Sequence, residues 1–148
     1  MALFLKIFAK IFEQVMNSLK SLSSCKFLLQ YHFIFVCKYR KKILNPIRND
    51  ILSAMKIISH NYDFTIHTQE VDNDHIHLLI ESIPRISPSQ ICRVLKQEST
   101  VMMWKMHSSY LSNFYWKEKT LWSDGWFCST IGNVSEKTVK HYIETQGS

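Results

Sequence analysis

The run Asp74-His75-Ile76-His77-Leu78-Leu79-Ile80 sets two imidazoles one residue apart in a stretch of alternating side-chain character. On a strand alternate residues share a face, so His75 and His77 point the same way with Cα atoms roughly 6.6 Å apart, while Ile76, Leu78 and Ile80 face a core. Two imidazoles so placed can converge on one cation. The same spacing also suits two strand histidines that make ordinary hydrogen bonds, and the pair alone leaves both readings open. A cation would need a third ligand, and Lys140-His141-Tyr142-Ile143-Glu144-Thr145-Gln146 offers one. Tyr142 and Gln146 are four residues apart and share a helix face, close to the stripe of Val139 and Ile143. Read alone, they are a tyrosine at the rim of a core and a glutamine at a fraying end.

The elements that must position these residues can be read from periodicity. Phe27 to Cys37 is apolar on both alternating faces, which predicts a central strand covered on both sides. Pro46 suits a helix start, and Ile47, Ile51, Met55 and Ile58 form a stripe ending near His60. Phe64 to Val71, the turn Asp72-Asn73-Asp74 and His75 to Glu81 predict a hairpin. Ser87, Pro88 and Gln90 make a capping-box pattern for a helix reaching about Met106. Leu121 to Ile131 predicts a fourth strand, bent at Gly125 and broken by Gly132-Asn133. Ser135 can cap a last helix, with Val134 and Val139 at the spacing of a hydrophobic staple. The expected class is α+β: a ferredoxin-like βαββαβ unit with an antiparallel sheet and an added C-terminal helix carrying the tyrosine.

The chain has 148 residues, enough for one domain with one core. Hydrophobic residues make up 46% and charged residues 20%, which argues against disorder and for a packed globular domain. The formal charge of +6 suits a polyanionic partner, although a solvated basic surface gives the same number. Cys25, Cys37, Cys92 and Cys128 contain no C-x-x-C pair, so neither a zinc ribbon nor a disulfide framework is indicated; free thiols in a cytoplasmic protein are the simpler reading, with Cys37 and Cys128 in the core. Residues 1–24 are set apart from a domain at 25–148. Phe4, Phe8, Phe12, Val15, Leu19 and Leu22 recur at helical spacing and predict an amphipathic extension, while Lys6, Lys10 and Glu13 interrupt each apolar run and argue against a signal peptide or membrane span. An upstream mis-start, with Met16 as the natural first residue, would account for the extension.

Taken together, the segments Tyr31-His32-Phe33-Ile34-Phe35 with Lys38-Tyr39-Arg40, Asp74-His75-Ile76-His77-Leu78-Leu79, Leu121-Trp122-Ser123 with Ser129-Thr130-Ile131-Gly132, and Tyr142-Ile143-Glu144-x-Gln146 resemble the single-tyrosine transposases of the HUH superfamily, from about Met16 to Gln146. The resemblance implies that His75, His77 and Gln146 hold a divalent metal, Mg²⁺ or Mn²⁺, and that Tyr142 is the nucleophile. It further implies single-stranded DNA at insertion-sequence ends as substrate, a 5′-phosphotyrosine intermediate, and a homodimer with shared active sites. The residue types agree, since a tyrosine of ordinary pKa is a poor nucleophile at neutral pH unless a cation polarises the phosphate it attacks. Imidazole ligands by themselves would favour Mn²⁺ or a later transition metal. Candidate DNA contacts are Lys38, Arg40, Lys41 and Lys42, together with Lys96, Trp116, Lys117 and Lys119. The competing readings are a catalytically silent nucleic-acid-binding protein of the same fold and a repeat-processing tyrosine nuclease. No K/R-G-F/Y-G/A-F-V-x-F/Y run is present, which counts against an RNA-recognition motif.

Overall fold

The computed structural model describes residues 5–7, 9–10, 13, 17–22, 24–130 and 136–146. The described residues 5–7, 9–10, 13 and 17–18 are helical and exposed, and a small hairpin follows, with β1 (Lys20–Leu22) antiparallel to β2 (Cys25–Phe27). The main sheet is built from β3 (Leu29–Val36), β4 (Thr65–Val71), β5 (His75–Ser82) and β6 (Phe127–Thr130), in the order β4-β5-β3-β6 and antiparallel throughout. Helix α1 (Arg48–Asn61) joins β3 to β4, α2 (Pro88–Leu111) joins β5 to β6, and α3 (Glu136–Thr145) follows β6. This is the βαββαβ order with an added helix that periodicity predicts, with β3 central.

Alternation divides each strand between two faces. Phe33 pairs with Leu78 and Phe35 with Ile76; all four are fully buried beneath Ile51, Met55 and Ile58 of α1 and Ile91, Leu95 and Met103 of α2. Each such side chain contributes about 1.5–3 kcal/mol by leaving water, so this face is the main core. The opposite face carries His32, Ile34 and Val36 of β3 beside Leu79, His77 and His75 of β5. Ile34 and Val36 are fully buried although they point away from α1 and α2. Phe127, level with Ile34 in β6, packs its ring on that of Tyr142 at 5.4 Å, which places α3 over this second face.

Four boundaries differ from the sequence reading for local reasons. Leu22, on the expected helical stripe, lies instead in β1 and is exposed, because residues 20–22 pair with residues 25–27. Phe27 belongs to β2, with Leu28 exposed between it and β3. Helix α2 continues past Met106 through a kink at His107 (φ −132°, ψ 33°), where the imidazole meets Asp50 at 2.7 Å, and ends at Leu111; its capping box at Ser87 and Gln90 is formed as expected. The fourth strand is shorter than Leu121–Ile131. Trp122 bridges Cys37 and Phe127 pairs with Ile34, so five positions on one side span three on the other, and residues 123–126 bow out of the ladder. The Lys96 ammonium gathers that bow by donating to the carbonyls of Ser123 (2.7 Å), Asp124 (3.2 Å) and Gly125 (3.2 Å). The expected cap at Ser135 and the Val134–Val139 staple lie outside the described residues. Cys37 is buried as expected and Cys128 is half-buried.

Candidate active site

Strand β5 presents His75 and His77 on the second face, their ring centroids 4.9 Å apart and their planes 72° from parallel. Each ring is held at Nδ1. His75 Nδ1 lies 2.7 Å from Oδ1 of Asp74, a buried carboxylate whose backbone carbonyl also accepts from Cys37 N–H at 2.8 Å. A carboxylate only accepts, so His75 Nδ1 is the donor in this contact. His77 Nδ1 lies 3.2 Å from Nε2 of His32 on the neighbouring strand. Burial, reinforced by the neighbouring His75 and His32, pushes His77 down to about 4, and burial lowers His32 as well. Both rings are therefore neutral at pH 7.

Tyr142 and Gln146 meet on one side of α3, as their spacing predicts, and both close on Gly125 of the bowed segment. A Cβ at Gly125 would stand 2.5 Å from Gln146 Oε1 and 3.6 Å from Tyr142 Oη, so the approach depends on glycine. The Tyr142 hydroxyl is buried with no hydrogen-bond partner. Burial, with a smaller contribution from Cys92, pushes it up to about 12. The histidine pair and the Tyr142–Gln146 pair are linked by Arg40, whose Nε lies 3.6 Å from Asp74 Oδ2 and whose Nη1 donates to the Glu144 carbonyl at 3.3 Å. Among the described residues no hydrogen bond or ring contact joins Tyr142 or Gln146 directly to His75 or His77.

The basic candidates fall into two groups. Three are engaged by the protein itself: Lys38 pairs with Asp124 at 3.1 Å, Arg40 spans Asp74 and α3, and Lys96 holds the three carbonyls. Lys41, Trp116 and Lys117 line one cleft of roughly 500 Å³ with Tyr39, and Trp116 is 72% exposed. Lys119 lines a separate cleft with Lys96, and Lys42 is exposed. The turn Lys38-Tyr39-Arg40, read in sequence as a basic run, is a tight 3₁₀ turn with positive φ at Tyr39 (57°) and Arg40 (49°), a strained geometry for residues with a Cβ. Sequence reasoning assigned no role to His32 or Asp74. Asp74 could have been suspected from its place before His75; His32 needed the β3–β5 register, which no local pattern supplies.

The profile of the family described as "Transposase IS200 like" matches residues 25–146. The chain belongs to this family. Family membership makes it a transposase, an enzyme that binds and processes DNA. This transposase is 27% identical over 133 residues to the transposase for insertion sequence element IS200 of Salmonella typhimurium, covering 87% of this chain and 86% of that one. It is 26% identical over 119 residues to ISDra2 transposase TnpA of Deinococcus radiodurans, covering 80% of this chain and 84% of the relative. In fold it is similar to the crystal structure of a candidate transposase from Deinococcus radiodurans, with TM-score 0.78, 23% identity and coverage of 84% of this chain and 95% of the other. A REP-associated tyrosine transposase bound to a REP hairpin also aligns, with TM-score 0.52, 15% identity and coverage of 84% and 68%. Among the described residues no helix is long and apolar enough to cross a membrane.

Proposed function

We propose that the transposase cleaves and rejoins single-stranded DNA at insertion-sequence ends through a covalent bond to Tyr142. The observation that carries this reading is the pair His75 and His77, each held at Nδ1 and together on one face. Two imidazoles anchored at Nδ1 present Nε2 to a divalent cation, and the Gln146 amide and a phosphate oxygen would be its further ligands. Mg²⁺ or Mn²⁺ bound there would polarise the phosphate and stabilise the charge that develops on it.

Tyr142 Oη attacks the scissile phosphorus, the bond to the 3′ oxygen breaks, and that oxygen leaves as a 3′-hydroxyl carrying the proton that the phenol gave up. The 5′ end stays on Tyr142 as a phosphotyrosine. Because the phosphodiester is exchanged rather than hydrolysed, another 3′-hydroxyl can reverse the step and join two strands. The phenol's raised pKa means that the substrate complex must favour the phenolate, and a cation at the phosphate does so. Since one tyrosine makes one link at a time and excision involves two ends, two chains act together; α3, which here packs on its own sheet, would exchange between them so that each Tyr142 serves the histidines of the other. The test is to incubate the protein with single strands from its flanking DNA and Mn²⁺ or Mg²⁺, then run a denaturing gel. A protein–DNA adduct that needs the metal supports the reading, and its absence with every flanking strand overturns it.

A further inference from the structure

His32 sits on β3 opposite Leu79, one row from the His77–Ile34 pair, and its side chain reaches diagonally across the second face. Its Nε2 lies 3.2 Å from His77 Nδ1, the ring centroids are 5.3 Å apart, and the planes differ by 23°. The centroid separation exceeds the nitrogen–nitrogen distance by about two ring radii, so the nitrogens lie between the centroids. The rings therefore meet edge to edge, nearly coplanar, in a hydrogen bond rather than a stack.

We propose that His32 is a positioning residue that fixes the tautomer and orientation of His77 so that His77 turns its Nε2 lone pair to the cation. This rests on the metal reading above. If His77 Nε2 is to bind a cation, the His77 proton must be on Nδ1, and His32 Nε2 must accept it. His32 then carries its own proton on Nδ1. Ser129, its cross-strand partner on β6, has a buried hydroxyl without a hydrogen-bond partner. The other neighbour in the row, Leu79, is apolar. Asp74 performs the equivalent service for His75, so both imidazoles are aimed from behind, one by a carboxylate and one by a neutral ring. The neutral partner adds no negative charge to the site, and a partner that takes His77's other N–H is commonly worth 10–100-fold in metal affinity.

The experiment compares Mn²⁺ affinity of the full chain, read from the EPR signal of free Mn²⁺, with the ¹⁵N-detected tautomer of His77 in the metal-free protein. Wild type should show the Nδ1–H tautomer. His32→Phe should mix the tautomers and weaken Mn²⁺ binding roughly 10–100-fold. His32→Gln, whose Oε1 can occupy the place of Nε2, should keep the tautomer and most of the affinity. If His32→Phe does not fold, His32→Asn, polar but too short to reach, carries the same expectation. A folded His32→Phe or His32→Asn with wild-type affinity, or His77 found as Nε2–H in wild type, overturns the inference while leaving the metal site standing. A wild-type chain that binds no Mn²⁺ overturns the metal reading, and with it the purpose given to His32.

Discussion

Tyr142→Phe removes one oxygen from a place where it is buried and has no hydrogen-bond partner. A buried, unsatisfied polar group costs about 1–3 kcal/mol, and because Tyr142 as a whole is only half-buried the lower end applies, so the substitution should tighten α3 by about 1 kcal/mol. The Phe127 contact is kept. If α3 opens locally, its amides should exchange with solvent about fivefold more slowly; if it opens only with the whole fold, Tm should rise by about 2–4 °C. At the same time the covalent adduct should vanish while binding of single-stranded DNA persists. A pH arm sharpens the test. The folded pKa of about 12 lies above the value of 10 for a free tyrosine, so ionisation of this group leaves stability untouched below pH 10 and lowers it as pH rises through 12. The phenylalanine variant should lack that loss. Adduct formation by the variant would refute the nucleophile assignment, and faster α3 exchange would show that the hydroxyl has a bonding partner in the folded protein.

Gly125→Ala should displace the end of the Gln146 side chain rather than the backbone, leaving the unfolding free energy within about 1 kcal/mol of wild type while reducing metal-dependent adduct on the gel. His77→Ala should abolish Mn²⁺ binding and cleavage with the core intact by circular dichroism, because Ile76 and Leu78 carry the opposite face. Mixing Tyr142→Phe with His75→Ala chains should restore adduct, carried only by the His75→Ala chain; no recovery in demonstrated mixed dimers rules out shared sites for cleavage. A chain beginning at Met16 should fold and form adduct as the full chain does, measured by melting and by gel.

What was legible in the sequence was what has a short period. Alternation along residues 75–80 placed both histidines on one face, and the four-residue step placed Tyr142 with Gln146 on one helix face, which the structure lays against Gly125. The order of strands and helices followed from the same signals together with the capping residues. What escaped depended on register or on long-range polar contacts. His32 meets His77 only because β3 and β5 align Ile34 with His77. Nor did any local pattern announce that the Lys96 ammonium gathers the carbonyls of Ser123, Asp124 and Gly125. The positive φ angles at Tyr39 and Arg40 were hidden by ordinary side chains where a glycine would have announced them.

Arg40 has a consequence for how the protein answers to ionic strength. One guanidinium neutralises Asp74 behind His75 and also caps the carbonyl end of α3 at Glu144, where the helix dipole is negative. It is 41% exposed along its side chain, so dissolved counterions compete for both of its contacts together. The main core, sealed between the sheet and the other two helices, has no such dependence. Raising salt should therefore release the helix that bears Tyr142 and slacken the hold on His75 in one event, well before the rest of the molecule unfolds, making the electrolyte around the protein a dial on whether the nucleophile is at home.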